Sequence, residues 1–167
     1  MNCPIAKKCG GCQLQNLDYE EQLSLKQSKI IKYIGKYCHV DEIIGMEEPF
    51  HYRNKVSHAL AFRSGRIYSG IYQSATRRVV QTDCCLLEDE YADEIVQTVK
   101  DLCVDFRIKA YDLNAGKGFF RHVMVRRAVN TGETMVVLVT AKGEFPKKDA
   151  FVSALLKKHP DINTVVW

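Results

Sequence analysis

The order of hydrophobic periodicities along this 167-residue chain predicts an α+β fold, with antiparallel β-hairpins packed against amphipathic helices. Three observations carry that expectation. Apolar residues recur at helical spacing in three stretches, β-branched runs come in pairs joined by turn residues, and no internal repeat breaks the pattern. With 46% hydrophobic and 26% charged residues, the composition suits a globular chain that buries a core, and excludes collagen-like or wholly disordered classes. No apolar run approaches the roughly 18 residues of a membrane span, and no apolar export segment opens the chain. The expected location is the cytoplasm.

The first predicted element is a helix over Tyr19 to Tyr37. Asp18 and Glu21 have the spacing of a capping box, and Leu23, Ile30, Ile31, Ile34 and Tyr37 recur at helical intervals. Tyr52 to Phe62, Arg66 to Tyr72 and Arg77 to Thr82 follow as strands, with Ser64-Gly65 as a hairpin turn. Tyr91 to Phe106 forms a second helix whose inner face is Ile95, Val96, Val99, Leu102, Cys103 and Phe106. A further hairpin runs from Phe119 to Val129, turns at Asn130-Thr131-Gly132 and returns over Glu133 to Thr140. Lys147 to Lys158 reads as a third helix. Thr164 to Trp167 begins a strand inside an apolar run, so the natural polypeptide is expected to continue. Gly116-Lys117-Gly118 lacks the third glycine of a dinucleotide loop and reads as a turn.

Charge is segregated along the chain. Phe50 to Thr82 holds six basic residues and no acid, whereas Asp83 to Asp105 holds eight acids against Lys100 alone. Arg107 to Gly132 is basic again, with six cations against Asp112. The basic stretches suit a polyanion, and the plain alternative is a set of solvated strand faces.

Seven cysteines are unevenly placed: Cys3, Cys9 and Cys12 crowd the N-terminus, while Cys38, Cys84, Cys85 and Cys103 lie scattered. In a chain with no export signal, such a cluster points to a metal or iron-sulfur site before a disulfide framework. Glycines between Cys9 and Cys12 let the backbone turn tightly and aim amides at sulfur. Zinc would take a fourth cysteine or one of His39, His51 and His58, whereas a [4Fe-4S] cluster would take a distant cysteine. Spacing alone leaves both open. Cys38 and Cys103 read most simply as small buried residues.

The motifs Cys3-Pro4, Cys9-Gly10-Gly11-Cys12-Gln13-x-Gln15 and Tyr19-x2-Gln22-x3-Lys26 resemble the iron-sulfur region of the RNA uracil-5-methyltransferases of 23S ribosomal RNA and transfer RNA. Tyr52-Arg53-Asn54-Lys55-Val56, Val79-Val80 ahead of Cys85-Leu86-Leu87, and Arg121-His122-Val123-x-Val125-Arg126 leading to Thr131-Gly132-Glu133 extend the likeness in the same order. The resemblance implies a [4Fe-4S] cluster held by Cys3, Cys9, Cys12 and a cysteine from Thr82 to Leu87. Cys85 is favoured because Leu86-Leu87 follow it, and Cys84 is the alternative. It also implies S-adenosylmethionine as methyl donor, bound in a Rossmann-like domain, together with a catalytic cysteine that attacks uracil C6 and so activates C5. The notable departure is that no stretch here matches that domain, so no catalytic or donor-binding residue is assigned.

On this reading, residues 1–48 are the cysteine-rich segment and helix. Residues 49–167 are a central α+β RNA-binding domain, truncated at its C-terminus and expected to be inactive alone. Arg53, Lys55, Arg121, Arg126 and Arg127 are the expected RNA contacts. Alternation on a strand sends Arg126 and Arg127 to opposite faces, so one of them at most joins Arg53. Two other classes compete: a free-standing zinc or iron-sulfur RNA-binding module without catalysis, and a ferredoxin-type redox protein, whose cysteine spacing this chain lacks. His58 and His122 read as hydrogen-bonded strand residues.

Overall fold

The computed structural model describes residues 3–167. Its elements are α1 (Ala6–Cys9), α2 (Tyr19–Ile34), β1 (Lys55–Arg63), β2 (Arg66–Tyr72), β3 (Val79–Gln81), α3 (Glu90–Asp105), β4 (Phe120–Arg127), β5 (Thr134–Thr140), α4 (Lys148–Lys158) and β6 (Ile162–Val166). All six strands join one sheet in the order β3-β2-β1-β4-β5-β6. Four neighbouring pairs are antiparallel; β5 and β6 alone run parallel. The architecture is therefore mixed α/β, with α4 forming the crossover that a parallel pair requires.

Period-two patterning sets which face is buried. Val56 pairs with Val125 and His58 with Val123, while Val125 faces Val136 and Val123 faces Leu138, so these side chains share the inner face of the sheet. Against it pack Ile95, Val96, Val99 and Leu102 of α3 with Phe151 and Leu155 of α4. Phe151 is fully buried and stands 5.2 to 5.9 Å, centroid to centroid, from Phe145, Phe106 and Phe120. Those edge-on and tilted contacts add specificity to the area buried.

The β1–β2 turn forms as its residues dictate. Ser64 and Gly65 both take positive φ, 51° and 79°, as a two-residue turn matched to the twist of the strands demands. Gly118 is held at φ 108°, where a Cβ would strike the Ala110 carbonyl oxygen at 2.1 Å, so the Gly116-Lys117-Gly118 stretch is a turn leading into β4.

Differences from expectation are local. The short α1 was not anticipated, since four residues carry no period. The helix expected over Tyr19 to Tyr37 stops at Ile34, and the Gly35 amide donates to the Ile31 carbonyl as the chain leaves the helix. Its capping box forms as expected, with the Glu21 amide donating to Asp18 at 2.8 Å and the Asp18 amide to Glu21 at 3.0 Å. Its apolar stripe does not become a core: Ile30, Ile31 and Ile34 are 47%, 48% and 43% exposed, and no residue of α2 is buried. Cys38, expected to be buried, is exposed because it lies in the turns beyond that uncovered helix. Cys103 is fully buried on α3, and burial pushes its thiol up to about 12. No described helix is long and apolar enough to cross a membrane.

A candidate metal centre beside a basic end of the sheet

The N-terminal cysteines are brought together by α1 and the turn after it. Cys9 ends the helix, Gly10 takes the left-handed conformation at φ 70°, and the Gly11 amide then donates to Cys9 Sγ at 3.4 Å. A Cβ on Gly11 would stand 3.2 Å from that sulfur, so glycine leaves the thiol its room. Burial pushes the Cys12 thiol up; Arg53 pulls it down, and Cys9 and Cys3 push it up again. The three thiols share one short segment, but among the described residues no three cysteine sulfurs lie within 4.8 Å of one another.

Cys85 arrives from the segment that follows β3. It is half-buried while Cys84 is exposed. Burial raises the Cys85 thiol and the backbone amides of Leu87 and Glu88 lower it. The Arg53 guanidinium joins the two groups. Burial works against its charge, while the Tyr52 hydroxyl, Cys85 and Cys12 all support it, leaving Arg53 above its ordinary value. Arg53 therefore lies within electrostatic reach of both Cys12 and Cys85, residues far apart in sequence.

The backbone around Cys85 is clamped from two sides. The Arg53 amide donates to the Leu87 carbonyl at 2.8 Å and the Asp89 amide to the Arg53 carbonyl at 3.1 Å. From α3, the Asp93 carboxylate accepts the Cys85 amide at 3.0 Å. Behind it lies a buried group that sequence reasoning missed: His58, Glu88 and Asp93 offer ligand atoms within 4.8 Å of one another, with His58 Nε2 at 2.9 Å from Glu88 Oε2. Burial pushes the Asp93 carboxyl up to about 6, the Cys85 amide opposes that shift, and Glu88 reinforces it. Glu88 and Asp93 are two of the eight acids between Asp83 and Asp105, and no local signal sets them apart from the others. His58 is hydrogen-bonded as expected. The three histidines weighed as zinc ligands are each engaged elsewhere: His58 with Glu88, His51 with the Glu88 carbonyl at 2.8 Å, and His39 with Asp41 at 3.5 Å.

The expected RNA contacts divide by sheet face. Lys55 and Arg126 are paired across β1 and β4 and both are exposed on the outer face, away from α3 and α4. Arg127 points the other way, where it donates to Asp89 at 3.0 Å and lies over the Tyr91 ring at 5.2 Å. Arg121 lies over Tyr111 at 4.9 Å. Arg53 precedes β1 by two residues, so Arg53, Lys55 and Arg126 gather at one end of the central β1–β4 pair.

This architecture is shared with a known class of enzyme. The chain is similar to the crystal structure of the Pyrococcus abyssi tRNA (uracil-54, C5)-methyltransferase in complex with S-adenosyl-L-homocysteine, with a TM-score of 0.68 and 27% identity, over 90% of this chain and 36% of that one. Uncharacterised RNA methyltransferases of Clostridium acetobutylicum and Halalkalibacterium halodurans are each 37% identical over 98% of this chain. Nearly the whole chain aligns with these RNA methyltransferases, and it spans about 37% of the length of those two relatives. No family model matches the chain.

Proposed function

We propose that this chain is the metal-binding and RNA-gripping portion of an S-adenosylmethionine-dependent RNA uracil-C5 methyltransferase. The observation that carries the reading is the 37% identity to RNA methyltransferases over 98% of the chain, supported by the fold likeness to an enzyme of uracil C5. The relatives' names leave ribosomal and transfer RNA as alternative substrates.

Cys3, Cys9, Cys12 and Cys85 would hold one [4Fe-4S] cluster. The donor types suit the group: three thiols share one short segment, Arg53 lies within electrostatic reach of Cys12 and of Cys85, and the Gly11 amide donates to Cys9. When bound, the cluster supplies a cross-link that closes a loop of roughly 70 residues, whose ends otherwise cost entropy to hold together. Cys84 is the weaker candidate, being exposed on the neighbouring position. Arg53, Lys55 and Arg126 would take RNA phosphates, and Arg127 is left to hold Asp89 at the start of α3. The chain's residues orient the RNA; transfer of the methyl group from the donor belongs to the part of the relatives that this stretch does not span.

Anaerobic purification with iron, sulfide and zinc analysis tests the centre. The expected result is a brown protein with four iron atoms per cluster; one zinc per chain and no sulfide would replace this reading with a colourless zinc RNA-binding module. Incubating the chain with labelled S-adenosylmethionine and uridine-containing RNA should leave the RNA unlabelled.

A further inference from the structure

The outer face of the sheet carries a second basic feature that the cysteine site does not use. Arg63 of β1 pairs with Arg66 of β2, and Ala61 pairs with Tyr68, so these side chains rise from the face that α3 and α4 leave uncovered. Beside them a cavity of about 530 Å³ is bounded by Lys8, Arg63, Arg66 and Arg78, with Tyr68 and Gln81 in its wall. No Asp or Glu lines it. Among the described residues, none of these four cations pairs with a carboxylate. Cations gathered without counter-charge in a concave site concentrate positive potential there, and an anion is the partner that relieves it.

The shape restricts the anion. Arg66 and Tyr72 lie at opposite ends of β2, about 20 Å apart at roughly 3.3 Å per residue. Arg78 immediately precedes Val79, the partner of Tyr72 across the β2–β3 pair. The cations thus line a track rather than ring a point. A stacked strand rising about 3.4 Å per nucleotide covers that length in about six nucleotides. Tyr68, half-exposed between the cations, offers a ring face that a base can stack on only if the base is unpaired.

We propose that this groove is a track for a single-stranded segment of RNA, with Lys8, Arg63, Arg66 and Arg78 on phosphates and Tyr68 stacking on a base. The proposal rests on the RNA-binding reading above and deepens it, extending the interface from Arg53, Lys55 and Arg126 at the end of the β1–β4 pair toward the β2–β3 side of the sheet.

Fluorescence anisotropy on the full chain tests it, with an oligouridylate of about twelve nucleotides, an RNA duplex of about twelve base pairs and ATP as probes. Replacing Arg63, Arg66 and Arg78 by Ala should weaken oligouridylate binding at least about tenfold and lower the salt slope by about 2, near 0.7 for each phosphate no longer neutralised. Tyr68→Leu should weaken it about tenfold with the slope unchanged. Should the triple variant melt early, Lys8→Glu gives the same readout. An unchanged slope in a folded triple variant overturns the track, as does equal weakening on duplex RNA. Saturable ATP binding without oligouridylate binding would make it a small-nucleotide site and overturn it too. Lys55→Ala with Arg126→Ala separates the two readings: if that pair leaves binding intact while the triple variant weakens it, the interface at Lys55 and Arg126 fails and the track stands.

Discussion

The sheet with α3 and α4, and the N-terminal segment with α2, are built on opposite economies. In the first, Ile95, Val96, Val99, Phe120, Val123, Val125, Val136, Phe151 and Leu155 are fully buried in one continuous core. In the second, the helix has no buried residue, and its loop is tied back by polar contacts: the Met46 backbone amide donates to the Tyr19 hydroxyl at 2.7 Å and the Gln27 side-chain amide to the Asp41 carbonyl at 2.8 Å. A region that buries so little apolar surface must gain its order from somewhere other than the hydrophobic effect. On the proposed reading, a cluster held by Cys3, Cys9, Cys12 and Cys85 would supply that order as a cross-link.

The largest expected effect breaks the core side of this contrast. Phe151→Ala removes a side chain shared by three aromatic neighbours and should cost about 3 to 5 kcal/mol in urea unfolding, while leaving metal content per folded chain unchanged. Equal loss of metal would mean that the two regions are one cooperative unit.

Cys85→Ser acts on the other side. It should reduce bound iron several-fold and quicken tryptic cleavage within residues 17–48 by about tenfold, with little change in the urea midpoint of the sheet and helices. The same effect from Cys84→Ser, with Cys85→Ser silent, would exchange their roles.

A smaller effect is expected at the α2 N-terminus. Asp18→Ala breaks both hydrogen bonds of the capping box and should cost about 1 kcal/mol, seen as faster amide exchange in the first turn of α2 and not as a shift in global unfolding. A global shift of that size would show that α2 folds with the core.

The smallest is a pH effect confined to the core side. Burial pulls His159 below its ordinary value, Glu94 opposing and Lys158 assisting, and its Nε2 lies 2.8 Å from Thr98 Oγ1 where α4 meets α3. The unfolded chain therefore binds the proton more tightly than the folded one. This contribution to stability is present above about pH 6.5 and is lost as pH falls through that value toward the folded pKa. Thermal midpoints from pH 7.5 to 5.5 should fall less in His159→Gln than in the wild type; parallel curves would assign the fall to other groups.

Much of the fold is written in short-range pattern. β2 falls on the predicted residues because a Ser-Gly turn and period-two alternation bound it on both sides, and Asp18 with Glu21 marks the start of α2 to the residue. The inner face of α3 follows from a 3.6-residue period interrupted by neither Gly nor Pro. The split between Arg126 and Arg127 needs only the alternation of a strand.

What the sequence by itself determined is the kind and order of the elements, the crowding of Cys3, Cys9 and Cys12, and the segregation of basic from acidic stretches, because each depends on residues within a turn or two of one another. Only the tertiary structure decided the rest. It left the stripe of α2 uncovered, made β6 the parallel partner of β5, brought Arg53 within electrostatic reach of both Cys12 and Cys85, and drew Glu88 and Asp93 out of an acidic run into contact with His58 and the Cys85 backbone. The physical reason is common to all four: periodicity says that a side chain has a preferred face, but the partner on that face comes from a distant part of the chain, and long-range packing and burial choose it.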